Sequence, residues 1–131
     1  MKSDGKKDAE SGRFAYEGIE RALHEKARLG IMTSLMTRPK GLLFGELRQL
    51  CSLTDGNLSR HLDVLRDEGL VEIWKGFEGR RPQTLVRLSN SGRARFVKYL
   101  QELEKVLQDA MAAKKEAGKA KTDLPPGWVP A

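Results

Sequence analysis

The sequence has 131 residues, the length of one domain, and its 39% hydrophobic and 32% charged residues exclude a disordered chain and a membrane-embedded one. The 24 lysines and arginines outnumber the 18 aspartates and glutamates, and the net charge of +6 favours a polyanionic partner, most often nucleic acid. Aromatic residues make up only 6%, which argues against a platform of rings for stacking single-stranded bases.

The first predicted helix follows a charged N-terminal stretch. Residues 1–13 have no hydrophobic period and are predicted to form a flexible tail. From about Phe14 to Thr37 apolar side chains recur every four residues, which predicts a long helix that Pro39 ends. The recurring apolar positions are Ile19, Leu23, Ala27, Ile31 and Leu35.

Two shorter helices are predicted next. The second runs from about Phe44 to Cys51, and the third runs from about Asp55 to Glu68. Thr54 is expected to cap the N-terminus of the third helix through its hydroxyl, and Gly69 stands where a left-handed C-terminal cap is expected. The buried stripe of the third helix is predicted to consist of Leu58, Leu62 and Leu65.

A β-hairpin and a long last helix complete the predicted elements. Two strands, residues 70–75 and 85–88, alternate apolar and polar side chains, and the loop from Gly76 to Gln83 is predicted to be long, Gly-rich and basic. The last helix is predicted from about Asn90 to Met111, with Ser89 as its cap. Its apolar seam has heptad-like spacing and consists of Phe96, Leu100, Leu103, Leu107 and Ala110.

This order of elements predicts one domain over residues 14–111. Two short helices followed by a hairpin with a basic loop are typical of a winged helix-turn-helix. The predicted fold class is therefore mostly α with a β-hairpin wing (α+β), framed by long N- and C-terminal helices. Residues 112–131 are first Lys-rich and then Pro-rich and are predicted to form a C-terminal tail, in which Trp128 has no assigned role.

The third helix is the candidate recognition helix, because its leucine stripe leaves a polar front exposed. Arginine can bind guanine and asparagine can bind adenine through two hydrogen bonds in the major groove. His61 flanks the leucine stripe, and hydrogen bonding within the core is an equal alternative for it. The predicted DNA-binding residues are Thr54, Asp55, Asn57, Ser59, Arg60, His61, Lys75, Arg80, Arg81 and Arg87.

Charge is distributed unevenly between the third helix and the hairpin. Residues 54–72 contain two basic and five acidic residues, whereas residues 73–95 contain six basic residues and one acidic residue. The positive excess therefore lies on the hairpin and at the start of the last helix. A hairpin tipped by Arg80 and Arg81 can straddle a phosphate backbone or enter a minor groove.

Three stretches of the sequence resemble one family of regulators. Residues 54–65 (TDGNLSRHLDVL) with residues 68–71 (EGLV) resemble the recognition helix of MarR/ArsR-type winged-helix regulators. Residues 75–82 (KGFEGRRP) resemble the wing of a small subgroup, and residues 88–93 (LSNSGR) are similar to the entry into the family's last helix. The resemblance covers about residues 31–107. It implies a prokaryotic transcriptional regulator that binds double-stranded operator DNA as a homodimer, with its recognition helix in the major groove and its wing on the minor groove or backbone.

A homodimer is also expected from the length of the apolar seams. The last helix spans roughly 30 Å at about 1.5 Å per residue, which is longer than one small core can cover. An exposed apolar stripe of that length favours aggregation, and a two-fold partner removes it. The predicted dimer surface consists of Ile19, Leu23, Leu100, Leu103, Leu107 and Met111.

The remaining features predict neither a metal site, nor a cofactor, nor catalysis. Cys51, His24 and His61 are not at the spacing of metal ligands, and the sequence has neither a phosphate-binding loop nor a nucleophile turn. A single cysteine, the lack of an apolar run near 20 residues and the lack of a secretory signal predict a cytoplasmic protein without membrane contact. Whether a small-molecule effector exists stays open.

A second hypothesis comes from a different functional class. The same fold can serve as a protein-interaction adaptor with weak, non-specific DNA binding. The acidic third helix and Trp128 support this alternative, whereas Arg80 and Arg81 argue against it.

Overall fold

The computed structural model describes residues 10–119 and 123–131. The described residues form four complete helices: α1 (Lys26–Met36), α2 (Phe44–Cys51), α3 (Asp55–Asp67) and α4 (Asn90–Ala117). The strands are β1 (Leu42–Leu43), β2 (Val71–Glu78) and β3 (Arg81–Leu88). The strands form an antiparallel sheet in the order β1-β3-β2. This is the winged helix-turn-helix arrangement of the predicted α+β class.

The core lies where α1, α3 and the start of α4 meet the sheet. The predicted leucine stripe of α3 is confirmed, because all three of its leucines are buried. Burying a side chain of this kind contributes about 1.5–3 kcal/mol. The most deeply buried residues outside α3 are Leu23, Ile31, Met32, Leu35, Leu47, Leu70, Val86, Phe96 and Tyr99.

The first helix is shorter than predicted. Residues 14–25 form turns, and α1 begins only at Lys26. The carboxylate of Glu25 accepts hydrogen bonds from the backbone N–H groups of Ala27 (3.1 Å) and Arg28 (2.9 Å), so Glu25 caps α1. Leu23 is nevertheless fully buried. The four-residue apolar spacing therefore marks core positions in this stretch without marking a continuous helix.

The hairpin also differs from its prediction. The prediction of a long loop over residues 76–83 is wrong. The two strands stay paired to Glu78 and Arg81, and only Gly79 and Arg80 form the turn. Gly79 has φ +62°, a conformation that two-residue hairpin turns need and glycine adopts readily. Gln83 Nε2 donates to Glu78 Oε2 (2.7 Å) close to the turn. The wing is therefore a hairpin of two paired eight-residue strands rather than a long loop.

The start of α4 fits closely against the entry to the hairpin. Ser89 is confirmed as the N-cap, since its hydroxyl accepts a hydrogen bond from the backbone N–H of Gly92 (2.9 Å). A Cβ atom at Gly92 would lie 1.9 Å from the carbonyl oxygen of Leu70, so the helix passes this backbone only because position 92 has no side chain. With 28 residues, α4 extends past Met111 and is about 42 Å long.

The chain ends show different degrees of attachment. The flexible tail predicted for residues 1–13 lies outside the described residues up to position 9, and Arg13 at its end binds Asp109 on α4. Residues 112–117 belong to α4, and positions 120–122 of the predicted C-terminal tail also lie outside the described residues. Trp128 is exposed.

None of the described helices is long and apolar enough to cross a bilayer.

Candidate nucleic-acid interface

The N-terminal half of α3 presents a polar front on the surface. Asp55, Ser59 and Arg60 are exposed, because the leucines on the opposite side of α3 are buried in the core. Thr54 caps the helix as predicted: its hydroxyl accepts a hydrogen bond from the backbone N–H of Asn57 (3.1 Å). The Thr54 side chain is therefore already engaged by its own helix.

Two of the candidate base-reading residues are bonded to each other. A guanidinium nitrogen of Arg60 donates to the side-chain oxygen of Asn57 at 2.5 Å. A guanidinium has five N–H donors, so this bond leaves Arg60 able to donate to a base edge. Asn57, in contrast, must release its oxygen before it can form two hydrogen bonds with adenine.

A neighbouring basic residue, Arg48 of α2, is not among the DNA-binding residues predicted from the sequence. Its guanidinium lies 3.0 Å from the carboxylate of Asp55, which is itself exposed at the start of α3. The ion pair reduces the negative charge that Asp55 contributes to the front of α3. The helix-turn-helix arrangement of α2 and α3 is the signal that could have identified Arg48, because it brings the end of α2 next to the start of α3.

His61 turns away from the front of α3 towards the N-terminus of α1. Its Nδ1 lies 3.2 Å from a guanidinium nitrogen of Arg28 and 3.6 Å from the carboxylate of Glu25. Partial burial raises the pKa of Glu25, but hydrogen bonds from the backbone N–H groups of Ala27 and Arg28, together with His61, lower that pKa below its ordinary value. The structure thus gives His61 partners within the chain, the alternative that the sequence left open.

The two faces of the wing are chemically different. Residues directly opposite each other on β2 and β3 share a face, and successive pairs alternate between faces. On the outer face, away from the core, Arg87 lies 2.6 Å from Glu72 and 5.2 Å above the ring centre of Trp74. The hydrogen bond from Arg87 is the main reason why the pKa of Glu72 lies below its ordinary value. The positive charge of Arg87 is therefore largely matched on this face.

Most of the unmatched positive charge of residues 73–95 lies on the wing. Arg95 binds the carboxylates of Glu20 (2.6 Å) and Glu68 (3.1 Å), so it ties the N-terminal turns to the end of α3. Within residues 10–119 and 123–131, no carboxylate lies within salt-bridge distance of Lys75, Arg80 or Arg81. These three exposed residues form the basic part of the wing.

A groove of about 320 Å³ separates α3 from the wing. Ser59 and Leu62 line it from α3, and Ile73, Lys75 and Thr84 line it from the sheet. Lys75 crosses its own face of the hairpin to donate to the hydroxyl of Thr84 (3.0 Å). Ser59 of the polar front and Lys75 of the wing thus border the same groove, with Asp63 and Arg66 also on its α3 side.

The predicted dimer residues separate into two groups. Leu23 is fully buried in the core of its own chain, and Ile19 and Leu103 pack against that core. Leu100, Leu107 and Met111 are exposed along α4, where Leu107 is 60% exposed. Val97, which is not among the predicted dimer residues, extends this row by one turn. We call Val97, Leu100, Leu107 and Met111 the outer stripe of α4 and leave Leu23 out of it.

In the part of the chain that the structure describes, Cys51 and the acidic and imidazole side chains do not gather into a metal centre. Among the described residues, no three histidine, cysteine, aspartate or glutamate side chains lie close enough together to hold an ion. The sulfur of Cys51 is partly buried and lies 3.7 Å from the hydroxyl of Ser34. It therefore serves as a small packing residue between α1 and α2.

Comparison with known sequences identifies a family and one relative. Residues 27–107, more than half of the chain, match the family model described as a winged helix DNA-binding domain. An uncharacterized protein of Methanocaldococcus jannaschii is 38% identical over 60 residues, which are 46% of this chain and 65% of the relative. The match therefore spans slightly less than two thirds of that relative.

Solved structures have the same architecture. A transcriptional regulator homologue from Pyrococcus horikoshii OT3 shares 32% identity and superposes with a TM-score of 0.65, covering 70% of this chain and 89% of that one. The M. tuberculosis transcriptional regulator MOSR, solved in complex with DNA, shares 20% identity with a TM-score of 0.55 and covers 92% and 84% of the two chains. The second similarity shows the fold alone.

Proposed function

This chain belongs to the winged helix DNA-binding domain family, and on that premise we propose that it is a cytoplasmic transcriptional regulator that binds operator DNA as a homodimer. The observation that carries the proposal is the shared groove between α3 and the wing. Ser59 of the polar front lies on the α3 side of the groove, together with Asp63 and Arg66, and the basic residue Lys75 lies on the other side. A duplex presents base edges and phosphates next to each other in the same way.

We assign sequence readout to α3 in the major groove. Arg60 is the principal reader, because it keeps donors free while it is bonded to Asn57. Ser59 is exposed next to it and supplies a hydroxyl, and Asn57 holds the Arg60 side chain in position. We assign Thr54 and His61 to holding α3 in place, since both side chains already have partners within the chain.

Affinity for the phosphate backbone comes mainly from the wing. Lys75, Arg80 and Arg81 are exposed cations without a carboxylate partner among the described residues. Contacts of this kind position a protein on DNA without reading its sequence. Arg87 contributes less, because Glu72 lies 2.6 Å from it. In this assignment the wing contacts the minor groove or the backbone next to the site of α3.

The homodimer is supported by the outer stripe of α4. Its four apolar side chains are exposed in one chain, and a second copy related by two-fold symmetry would cover the same stripe on both. Recognition helices about 34 Å apart would then enter successive major grooves on one side of the duplex.

A salt titration on two duplexes tests this function. One duplex carries the DNA upstream of the protein's own gene, and the other carries the same bases in scrambled order. If each protomer neutralises about four phosphates, the logarithm of the dimer's affinity falls with the logarithm of salt concentration at a slope of about −7. Tighter binding to the upstream duplex at every salt concentration is expected. Equal affinity for both would contradict sequence-specific regulation at this site.

A protein-interaction adaptor is the second candidate, and the C-terminal residues favour it. Leu124, Trp128 and Val129 are all largely exposed in a segment that also contains three prolines. Exposed apolar side chains in a Pro-rich segment suit a groove on another protein. In this case deletion of residues 123–131 abolishes partner binding and leaves the DNA affinity unchanged.

A further inference from the structure

The tip of the wing carries an apolar side chain that the fold does not use. Phe77 is 75% exposed near the end of β2, directly opposite Pro82 of β3. Trp74 is also exposed (52%), but its ring lies under the Arg87 guanidinium and its indole N–H donates to Glu72 (3.2 Å). Phe77 belongs neither to the core nor to the side chains packed against it.

Phe77 points to the side of the wing on which α3 lies. Pairs on that face begin in the core with Ile73 opposite Val86, continue with Lys75 opposite Thr84, and end with Phe77 opposite Pro82. The middle pair lines the groove next to α3. The same face therefore changes outwards from buried apolar residues, through a basic pair, to an exposed apolar pair at the tip.

The charges around Phe77 favour DNA as its ligand. Arg80 lies in the adjoining turn, Lys75 lies two residues earlier on the same face, and neither has a carboxylate partner among the described residues. An apolar side chain between two cations suits a groove bordered by phosphates. One aromatic ring and one proline are too small for a stable protein interface, which buries at least about 1,000 Å².

We propose that Phe77, with Pro82 behind it, is a wedge that enters the minor groove and partly unstacks one base step. The chemical class of its ligand is duplex DNA at a flexible pyrimidine–purine step, where the cost of unstacking is lowest. Arg80 holds the flanking phosphates. This inference rests on the proposed function and adds deformation of the DNA to its readout by α3.

The test uses the full chain and a duplex that the wild-type protein has selected from a random-sequence pool. The fluorescent base 2-aminopurine replaces an adenine at each position flanking the α3 site in turn. The wild-type protein is expected to raise the fluorescence at one step, because unstacking relieves quenching. Phe77→Ala should remove that rise and weaken binding by about tenfold, in the range for removing one stacked ring from a base.

Two further variants make the result specific. Phe77→Leu keeps an apolar wedge and should retain most of the signal. Trp128→Ala removes a similarly exposed ring far along the chain and should change neither the affinity for the duplex nor the fluorescence. Unchanged circular dichroism and unfolding temperature will show that Phe77→Ala is folded, as expected for an exposed position.

Failure of the wedge and failure of the proposed function give different results. If the wild-type protein binds duplex DNA and Phe77→Ala matches it in affinity and fluorescence, the wedge is wrong and the proposed function stands. If Phe77→Ala instead changes the oligomeric state of the free protein, the ring contacts another chain and the wedge is again wrong. If the wild-type protein binds no duplex at all, both the wedge and the proposed function are wrong.

Discussion

Arg13 and Asp109 are 96 positions apart in the sequence and form an ion pair with two parallel hydrogen bonds, of 2.9 and 2.8 Å. The hydroxyl of Tyr16 donates a third hydrogen bond to the same carboxylate (2.7 Å). These bonds attach the N-terminal turns to α4. Because of the bonds from Arg13 and then from Tyr16, the pKa of Asp109 falls to about 2 from its ordinary 3.8.

The first prediction concerns the pH range of this attachment. Because the pKa of Asp109 is lowered in the folded state, its contribution to stability is present above pH 3.8 and is lost as the pH falls towards about 2. Carbon-13 NMR of the Asp109 carboxyl should therefore titrate with a midpoint of about 2. At neutral pH, Asp109→Asn should increase tryptic cleavage after Arg13. Glu104→Gln on the same helix is the control, and equal cleavage in both variants would contradict the prediction.

The second prediction separates charge from sequence readout on the wing. Arg80→Ala and Arg81→Ala together should weaken binding to the upstream and scrambled duplexes by the same factor. Each lost phosphate contact should reduce the salt slope by about 1, so the double variant, which loses two contacts in each protomer, should reduce the slope of the dimer by about 4. Arg21→Ala removes one exposed positive charge from the N-terminal turns and serves as the control. A double variant that binds as tightly as wild type would remove these two residues from the interface.

The third prediction concerns Arg60 and Asn57, the hydrogen-bonded pair on α3. Arg60→Ala should cost about 1–3 kcal/mol on the upstream duplex and relax specificity, with little effect on scrambled DNA. Because Asn57 holds Arg60, Asn57→Ala should cost less in the Arg60→Ala background than alone. A double-mutant cycle from titrations on both duplexes measures this coupling. Strictly additive losses would mean that Asn57 acts on the DNA independently.

The fourth prediction tests the outer stripe of α4. Leu107→Glu places a charge in the middle of the stripe and should convert a dimer into a monomer, because an unpaired charge is costly to bury at an interface. Sedimentation or light scattering at micromolar concentration measures the change. Ala113→Glu adds the same charge to an exposed position on a different side of α4. If both variants keep the mass of the wild-type protein, the stripe is not the interface.

The fifth prediction compares two glycines. Gly92→Ala should destabilise the fold by about 1–3 kcal/mol or more, because its Cβ would collide with the Leu70 carbonyl oxygen at 1.9 Å. Gly56→Ala in α3 meets no atom within 4 Å and should stabilise the fold by about 0.5–1 kcal/mol, since alanine favours helix. Urea unfolding gives both values. Equal stabilities for the two variants would contradict the close approach of α4 to the hairpin entry.

The helix caps and the leucine stripe of α3 were predicted correctly from local sequence. Thr54 caps α3 and Ser89 caps α4, because a hydroxyl that bonds the backbone three residues later needs no distant partner. The leucine stripe fixed the orientation of α3 in the same way. The alternation of apolar and polar side chains also predicted the hairpin of the wing, although the residues of the wing tip were expected in a loop.

Apart from the loop expected at the wing tip, the errors and omissions depended on contacts between distant residues. Leu23 belongs to the core without a helix around it, and the partners of His61 lie 33 and more positions away on α1. No local pattern distinguishes such an inward histidine from one that faces DNA. Likewise, the pairing of Arg13 with Asp109 and of Arg48 with Asp55 requires the assembled helices.

The two-residue turn at Gly79 and Arg80 determines which residues of β2 and β3 lie opposite each other. Side chains alternate along a strand with a period of two, so one inserted residue in this turn would shift the pairing of β3 against β2 near the tip. Phe77 would keep its face, because Val71 and Ile73 anchor β2 in the core, but it would lose Pro82 as its opposite neighbour. The length of the turn is therefore as much a determinant of recognition as the identity of the residues that it connects.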